Sequence, residues 1–485
     1  MGGGRNIGSL ALGYFYPTFT SSPNDGFPLL LPDGLVIGSD GGTCAWSNLD
    51  YNVGIFSSQA TATILRQDFR DLTYVNDFMN GLTSVYTDYS PMNLWESFTF
   101  TQTQDSVKAY AREKAIPADT LLQVKSANGI YFPYMTTAPI PLGDSIVVAD
   151  PIASRFFYYA KKADTNYRTG IFMTKDMLKF YKSPEYFIVF KDTATKVDFV
   201  STIAVSSDLN TLWAGTQRGR LIRVTGLINA NDSVTANAFS PQCVLVTDVF
   251  TNTPFNSRHI TSISINPADA NQMLITLGNY GNQDYVYFTS NANAAVPTFT
   301  SVQSNLPKTP VYTGLIELHG NNALVGTDFG VFSTANLTAG APVWDADMQN
   351  IGDVPVRDIR QQTMYDYHVQ NYGVIYLASY GRGLWFDTTY YSPVGIEPVF
   401  GNTGQDVRLN LTPNPVKDIV TISYVNSKAG DLTLRVYDLT GRIVMSTLLS
   451  NQPKGTVSTT LNLSGLSQGT YLVKLGNGQG KIVKL

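Results

Sequence analysis

The chain has 485 residues, with 37 acidic and 33 basic side chains and a formal net charge of −4. Hydrophobic residues make up 43% of the sequence, enough for a sizeable core, whereas charged residues make up only 14%, well below the roughly 25% of ordinary soluble domains. No cluster of lysine and arginine is present, which argues against a nucleic-acid partner, and the abundant Tyr, Phe, Gly, Thr, Ser and Asn indicate a β-rich protein with an extracellular type of surface.

The first twenty residues lack the pattern of a signal peptide. Their apolar stretch is short, is interrupted by Gly13 and Pro17, and has no small-residue cleavage site. Residues 7–16 instead predict a strand, and we expect the numbered chain to begin inside a longer precursor. No run of apolar residues reaches the length of about 18 that a membrane-spanning helix needs, so none is predicted.

A hairpin pattern recurs along the chain. Residues 323–334 show it clearly, since two short apolar runs flank an Asp/Gly turn, and Asp and Gly tolerate the positive φ angles of such turns. Similar units lie at residues 35–42, within a first hairpin at 30–60, and at 212–221, 273–290 and 375–385. Strand-like runs precede two of them, at 202–205 and 262–265.

The spacing of these units predicts the fold. From Gly215 to Gly278, Gly326 and Gly381 the steps are 63, 48 and 55 residues, and the four-stranded blade of a β-propeller repeats at roughly 40–50 residues. Residues 65–82 and 105–114 read as segments with helical turns, whereas 95–100 alternate like a strand and 145–182 return to the strand pattern. The irregular region is either one blade with a long insertion or two blades, which predicts six or seven blades.

The composition changes at Tyr390. Residues 391–406 read as a linker, and residues 407–485 form short strands joined by Asp/Thr-Gly and Gln-Gly turns, which predicts a small β-sandwich. We therefore predict an all-β chain with a six- or seven-bladed β-propeller over residues 1–390 and a C-terminal β-sandwich over residues 407–485.

The propeller region resembles a known group. Residues 326–332 and 380–385 look like blades of the sortilin and Asp-box propellers, and residues 301–307 resemble the inter-blade segment of that group. The Asp-box, Ser-x-Asp-x-Gly-x-Thr-Trp, is degraded here, because residues 290–299 and 333–344 keep the Ser and the aromatic residue but lose the Asp and Gly spacing. The resemblance covers residues 30–390 and implies a fold rather than an activity, since Asp-boxes are structural.

Residues 407–485 resemble the C-terminal sorting domain (type A) of cargo of the bacterial type IX secretion system. Three ordered motifs carry the resemblance, and their residues are Pro413, Asn414, Pro415, Asp438, Gly441, Gly469, Tyr471 and Lys474. The resemblance implies export to the extracellular space or outer-membrane surface of a Gram-negative bacterium, with the translocon and the sortase as partners. It leaves open whether the domain is removed or retained. An ordinary terminal β-sandwich used for binding is the alternative.

The sequence offers little that points to catalysis. The three histidines, His259, His319 and His368, have no second histidine at metal-ligand spacing and are expected to be structural or solvent-facing. No G-x-S-x-G elbow occurs. Cys44 and Cys243 have no local partner for zinc, and both two separate thiols and one disulfide fit the sequence. We predict no catalytic, metal or cofactor-binding residues.

A glycoside hydrolase would need two carboxylates beside one cleft. The available acids are Asp40, Asp328, Asp345, Asp347 and Asp353. However, Asp40 and Asp328 fit hairpin turns, where Asp is a common structural residue. Asp345 and Asp347 follow a tryptophan in what reads as a solvated loop. A sialidase would need an arginine triad, and no Arg-Ile-Pro-like signature is present.

Aromatic loops are the other candidate for a functional site, as places where a ligand could bind. Tyr365 and Tyr367 are suited to stacking on sugars, and the run at 156–159 predicts a buried strand. Arg382 can line the central channel, and the alternative is a structural role in hydrogen bonds to the neighbouring backbone. The sequence thus favours a secreted, surface-displayed propeller acting as a binding, adhesion or structural assembly component with a glycan or surface-protein ligand. A secreted glycoside hydrolase on a propeller scaffold is the alternative, and a subunit of the secretion or motility machinery is a third.

Overall fold

The computed structural model describes residues 2–4, 8–12, 30–37, 41–58, 64–68, 75–77, 82–84, 90–162, 168–193, 198–318, 320–347, 351–366, 368–369, 371–389, 407–426, 429–438, 443–475 and 478–485. Strands dominate these ranges, and the helix within them is a single 3-10 turn, Leu227–Asn229. The chain divides into two compact units, Met1–Gly395 and Ile396–Leu485. The prediction of an all-β protein is confirmed, while the predicted linker lies outside the described residues.

The first unit opens with two antiparallel sheets. The N-terminal sheet contains β1 (Gly2–Gly4), β2 (Gly8–Leu12) and β3 (Leu30–Ile37). Blade 1 contains β4 (Gly41–Trp46), β5 (Val53–Ser58), β6 (Ile64–Asp68) and β7 (Val75–Asp77). The β4–β5 pair is the hairpin predicted within residues 30–60. Residues 35–37 and 41–42 do not pair as a hairpin, because β3 pairs with β2 and β4 pairs with β5, and residues 38–40 lie outside the described residues.

The next nine strands form blade 2 and an insertion. In chain order they are β8 (Leu82–Ser84), β9 (Met92–Ser97), β10 (Ser106–Tyr110), β11 (Leu121–Lys125), β12 (Tyr131–Met135), β13 (Ser145–Ala149), β14 (Ala153–Lys162), β15 (Arg168–Thr174) and β16 (Phe187–Lys191). Blade 2 has the order β9-β14-β15-β16, with β8 paired to the second half of β14. The insertion, residues 98–152, holds the pairs β10–β13 and β11–β12. Of the two predicted alternatives, one blade with a long insertion is the one observed.

The helical turns predicted at residues 105–114 are wrong, and no described residue of the other predicted segment, 65–82, is helical. In 65–82 the described residues lie in β6, β7 and the first residue of β8, while 69–74 and 78–81 lie outside the described residues. In 105–114 half of the residues lie in β10. In β10, Val107 and Ala109 face the core of the insertion while Lys108 and Tyr110 are exposed. This alternation has a period of two, which is the period of a strand, and the partner strand β13 holds it in register.

Blades 3 to 6 follow without long insertions. Their strands are β17 (Val200–Val205), β18 (Thr211–Thr216), β19 (Leu221–Thr225), β20 (Val246–Phe250), β21 (Ile260–Asn266), β22 (Asp269–Leu277), β23 (Val286–Thr289), β24 (Thr300–Ser301), β25 (Val311–Ile316), β26 (Ala323–Thr327), β27 (Gly330–Thr334), β28 (Asp345–Ala346), β29 (Val356–Gln361), β30 (Ile375–Ser379) and β31 (Gly383–Asp387). Blades 3, 4 and 5 have four strands each, and blade 6 has three. The four hairpins predicted after residue 200 are confirmed as the second and third strands of these blades.

The core lies between neighbouring blades. The first strands β4, β9, β17, β21, β25 and β29 contact one another in turn, and β1 and β2 contact β4. Large apolar side chains such as Trp213 and Met273 are fully buried in these interfaces, as are the aromatic residues 156–159, which confirms their predicted burial. Blade 6 is joined to blade 1 by hydrogen bonds from Arg360 to the Cys44 carbonyl (3.3 Å) and from Gln362 to Asn48 (2.7 Å).

The glycines that recur at the ends of the second strands are required by close packing against first strands. A Cβ atom on Gly215 would lie 2.5 Å from Cγ2 of Ile260 in the next blade, and one on Gly326 would lie 2.8 Å from the carbonyl oxygen of Val356 in the next blade. A Cβ on Gly278 would lie 2.9 Å from Cγ2 of Thr261. Real Cβ atoms do not approach so closely, so the second strand needs glycine where it meets a first strand.

We expect Gly326→Ala to lower the free energy of unfolding of the propeller by about 2 kcal/mol, because the new methyl group overpacks against backbone that cannot rotate away. Gly340→Ala is the matched control, since nothing lies within 4 Å of its Cβ position, and a change within about 0.5 kcal/mol is expected there. Urea unfolding followed by tryptophan fluorescence measures both, because all 5 tryptophans lie in the first unit. Equal stabilities of the two variants would contradict the packing explanation.

The second unit is a β-sandwich, as predicted. Its strands are β32 (Val407–Arg408), β33 (Asn410–Thr412), β34 (Ile419–Asn426), β35 (Gly430–Tyr437), β36 (Ile443–Gln452), β37 (Gly455–Asn462), β38 (Gly469–Leu475) and β39 (Gly478–Lys484). A five-stranded sheet, β32-β39-β38-β35-β36, and a three-stranded sheet, β33-β34-β37, bury a common core that includes Val420, Ile422, Val436, Val473 and Ile482.

Candidate binding face of the propeller

The blades present two different ends. Antiparallel strands place alternate connections at opposite ends of a sheet. We call the end with the turns between second and third strands, residues 217–220, 278–285, 328–329 and 380–382, the turn face. The opposite end, which carries residues 98–152 and 362–374, is the insertion face.

Exposed aromatic and arginine side chains mark the turn face. Tyr280 is 75% exposed, Phe329 54% and Tyr380 68%, and each lies in the turn of a different blade. Arg218 and Arg382 are exposed in turns of the same face. Tyrosine, phenylalanine and arginine are residues that contribute strongly to binding when a ligand covers them.

A hydrogen-bonded cluster around Asp328 joins blades 4, 5 and 6 on this face. The hydroxyl of Tyr280, in blade 4, donates a hydrogen bond to the Asp328 Oδ2 atom. Tyr312 donates to Oδ1 at 2.6 Å, and Thr309 donates to Oδ2 at 3.2 Å. The guanidinium of Arg357, in blade 6, lies over the Tyr312 ring, with its carbon 3.7 Å from the ring centroid.

The charge states in this cluster follow from the contacts. Burial raises the pKa of Asp328, but the three hydroxyl donors and the nearby Arg357 outweigh that effect, and the net pKa is lowered. Burial and the hydrogen bond to Asp328 raise the pKa of Tyr312 to about 12. The hydrogen bond to Asp328 also raises the pKa of Tyr280. At neutral pH the site therefore holds a carboxylate acceptor beside neutral phenols, an arrangement suited to binding polar groups.

The role of Asp328 differs from the turn role that the sequence predicts. The residue does lie in the β26–β27 turn, but the Phe329 N–H of that turn donates to Thr327 Oγ1 at 3.0 Å. The Asp328 carboxylate instead bonds Tyr280 and Tyr312. These partners lie in another blade and another strand, so no local pattern in the sequence reveals the cluster.

The structure does not bring the sequence-predicted ligand residues together. Tyr365 lies on the insertion face, 64% exposed, with its ring edge-on to Tyr372 at 4.9 Å between centroids. Arg382 lies on the turn face, at the other end of β30. Tyr367 lies outside the described residues.

The loop around Tyr365 packs against the blade 2 insertion. His368 stacks on Phe98 with 4.7 Å between ring centroids, and its Nδ1 lies 2.7 Å from Asp366 Oδ1. Val369 shares a small apolar core with Phe98 and Leu49. Blade 6 is thus fastened to the insertion of blade 2, and His368 has the structural role expected from the sequence.

The remaining chemical candidates are dispersed. Asp345, Asp347 and Asp353 are exposed, His259 is half-buried with its pKa lowered by burial, and Asp40 and His319 lie outside the described residues. No disulfide joins the two cysteines. Within the described ranges, no three acidic, histidine or cysteine side chains are grouped so as to hold a metal ion. In the same ranges no helix is long and apolar enough to cross a membrane.

A buried carboxyl that the sequence did not reveal lies between blades 1 and 2. Glu96 Oε1 accepts hydrogen bonds from the hydroxyls of Ser47 (2.8 Å) and Ser154 (3.3 Å), and Oε2 accepts them from the N–H groups of Asn48 (2.6 Å) and Leu49 (3.4 Å). Burial raises its pKa to about 7, although the hydrogen bonds oppose the shift. Glu96 precedes the insertion, at the insertion-face end of β9, and fixes the loop after β4.

In the second unit, Asn414 ties the first sorting motif to the last strand. Its Nδ2 donates to the Lys481 carbonyl at 2.6 Å, and its Oδ1 accepts from the Val483 N–H at 2.9 Å. Pro413 and Pro415 beside it are exposed.

Three of the other motif residues lie in one central strand of the larger sheet. Gly469, Tyr471 and Lys474 lie in β38, and the buried Tyr471 donates its hydroxyl to the Ser467 carbonyl at 2.8 Å. Lys474 is opposite Arg435 of β35. Asp438 directly follows β35, and Gly441 lies outside the described residues.

The C-terminal domain is similar to a known family. Residues 410–485 match the model of the secretion system C-terminal sorting domain. The domain is a type IX secretion sorting domain, and it implies export through that system to the cell surface or extracellular space of a Gram-negative bacterium. No curated protein matches the chain.

Several solved structures are similar to the chain. The Cps50 (Swd1) β-propeller domain of Myceliophteria thermophila is 8% identical, with a TM-score of 0.38 over 73% of this chain and 84% of that one. Sqt1 of Chaetomium thermophilum is 11% identical, with a TM-score of 0.37 over 70% and 79%. A protein from Lactobacillus plantarum is 13% identical, with a TM-score of 0.32 over 77% and 99%. At such low sequence identities and TM-scores, these similarities carry no information about the function of the chain.

Proposed function

We propose that the protein is a surface-displayed binding or adhesion component whose propeller presents its turn face to a ligand. The observation that supports this most directly is the set of exposed aromatic and arginine side chains on the turns of four consecutive blades, Arg218, Tyr280, Phe329, Tyr380 and Arg382. Aromatic and arginine side chains contribute much of the binding free energy when a partner buries them. The match of residues 410–485 to the sorting domain supports the display of the propeller at the cell surface.

A glycoside hydrolase is less well supported by the geometry. Such an enzyme needs two carboxyl groups flanking one cleft, one of them protonated. Asp328 lies on the turn face, whereas Glu96, the carboxyl with a pKa of about 7, is buried at the insertion-face end of blade 2. The two groups therefore lie at opposite ends of the blades and cannot act on one bond.

Cell attachment tests the proposal. Cells would carry the full chain with Arg218, Tyr280, Phe329 and Tyr380 all changed to Ser, and antibody labelling of intact cells would verify equal display. We expect attachment to glass and cell–cell aggregation to fall at least about tenfold, since several central contacts are lost together. The matched control changes three exposed residues away from this face, Tyr181, Val246 and Val296, to Ser. Equal attachment of both variants and the natural chain would refute a binding role for the turn face.

A further inference from the structure

We infer that the junction of blades 4 and 5 on the turn face, lined by Tyr280, Asp328 and Phe329, binds a neutral carbohydrate with one sugar ring stacked on Tyr280. This inference rests on the proposed function, because it names the ligand class of the same face. It differs from the site that the sequence suggested, since Tyr365 lies at the other end of the blades.

The Tyr280 ring is both exposed and fixed. An exposed tyrosine ordinarily samples several rotamers, but here the hydroxyl is bonded to the carboxylate of a residue in the neighbouring blade. Charge-assisted hydrogen bonds of this kind are about twice as strong as neutral ones. The loop that carries Tyr280 is also held, since Asn282 Nδ2 donates to the Asn279 carbonyl at 2.9 Å and the Asn282 N–H donates to the Tyr285 hydroxyl at 3.2 Å. A ring fixed before binding loses little entropy when a ligand covers it.

The groups around the ring match the chemistry of a sugar. A pyranose has a face of C–H groups, which packs on an aromatic ring, and a rim of hydroxyls, which needs hydrogen-bond partners at the side of that ring. The Asp328 Oδ1 atom accepts from Tyr312 and retains acceptor capacity for a sugar hydroxyl. Phe329, next in the chain and exposed, adds a second apolar surface.

Two positively charged donor side chains lie near the Asp328 cluster. Arg357 is held over Tyr312 beside Asp328, and Lys308 Nζ donates to Gln283 Oε1 at 2.7 Å in the adjoining loop. Asp328 is held as a carboxylate by its three hydroxyl donors and Arg357. Asp328 and Arg357 offset each other's charge, and an acidic sugar placed on Tyr280 would bring its negative charge next to the Asp328 carboxylate, so the site favours a neutral ring.

A printed array of neutral and anionic oligosaccharides tests the inference with the full chain, and calorimetric titration of the strongest neutral binder measures affinity. Tyr280→Ala should weaken binding at least about tenfold, because the stacking surface is lost. Tyr280→Phe should weaken it less, because the ring stays but its anchor to Asp328 is lost. Tyr181→Ala, at a residue 78% exposed and outside the turn face, should leave binding unchanged. Urea midpoints identical to the natural chain would show that the variants fold.

Three results would overturn the inference: an array with no binding, binding to anionic spots alone, or binding that Tyr365→Ala removes and Tyr280→Ala does not. None of them decides the proposed function, which is measured separately by attachment of cells. If the four-residue variant loses attachment while the array stays blank, the turn face is a binding face and the ligand class is wrong. If attachment is also unchanged, both proposals fail.

Discussion

Deletion of residues 410–485 is expected to stop the propeller from reaching the cell surface. These residues match the sorting domain, which the type IX translocon recognises on its cargo. The propeller should still fold, because among the described residues the apolar core of the second unit contains none before Leu409. Protease treatment of intact cells followed by immunoblotting measures the effect. The truncated chain should be protected from protease, while the natural chain is digested.

A reciprocal experiment controls for misfolding. Fusion of residues 391–485 to a periplasmic reporter protein should carry the reporter to the surface, since the domain has its own core and both of its sheets. A truncated propeller that stays as accessible to protease as the natural chain would show that another segment directs export.

Glu96 is expected to make the propeller less stable as the pH rises from about 4.5 to 7. Its pKa is raised from 4.5 to about 7 on folding, so between these values the folded state binds more protons than the unfolded state, and stability falls with rising pH. A shift of this size corresponds to about 3 kcal/mol, lost in full above pH 7. The pKa of Glu96 is raised because its carboxylate is buried away from water and is stabilised by four neutral hydrogen-bond donors.

Glu96→Gln removes this dependence. The amide stays neutral at every pH, so the variant should lose little stability between pH 5 and pH 8, while the natural propeller loses about 3 kcal/mol more than the variant. Urea unfolding followed by tryptophan fluorescence at several pH values gives the comparison. Parallel pH profiles for the two proteins would mean that Glu96 does not titrate in this range.

Features that repeat in the sequence were predictable. The hairpins at 212–221, 273–290, 323–334 and 375–385 became the second and third strands of blades 3 to 6. The glycine spacing marks where one blade touches the next, as Gly215 does at Ile260. The sorting domain was predictable for a related reason, because its motif residues lie at fixed positions along one short stretch of chain.

Features that depend on contacts between blades were not predictable. Asp328 reads as a turn residue because its partners Tyr280 and Tyr312 meet it only in the folded ring. Glu96 reads as part of an ordinary strand, yet it accepts hydrogen bonds from Ser47 in another blade and Ser154 in the partner strand. The prediction of helical turns at 105–114 was wrong because a short amphipathic segment fits both the 3.6-residue period of a helix and the two-residue period of a strand. Pairing with β13 selects the strand.

Surface digestion of intact cells followed by mass spectrometry of the released peptides tests whether the type IX system displays the propeller at the cell surface. We expect peptides from blades 1 to 6 to be released from intact cells and to be lost when the type IX translocon is inactivated. Recovery of these peptides only after lysis, or release that is unchanged without the translocon, would contradict this expectation.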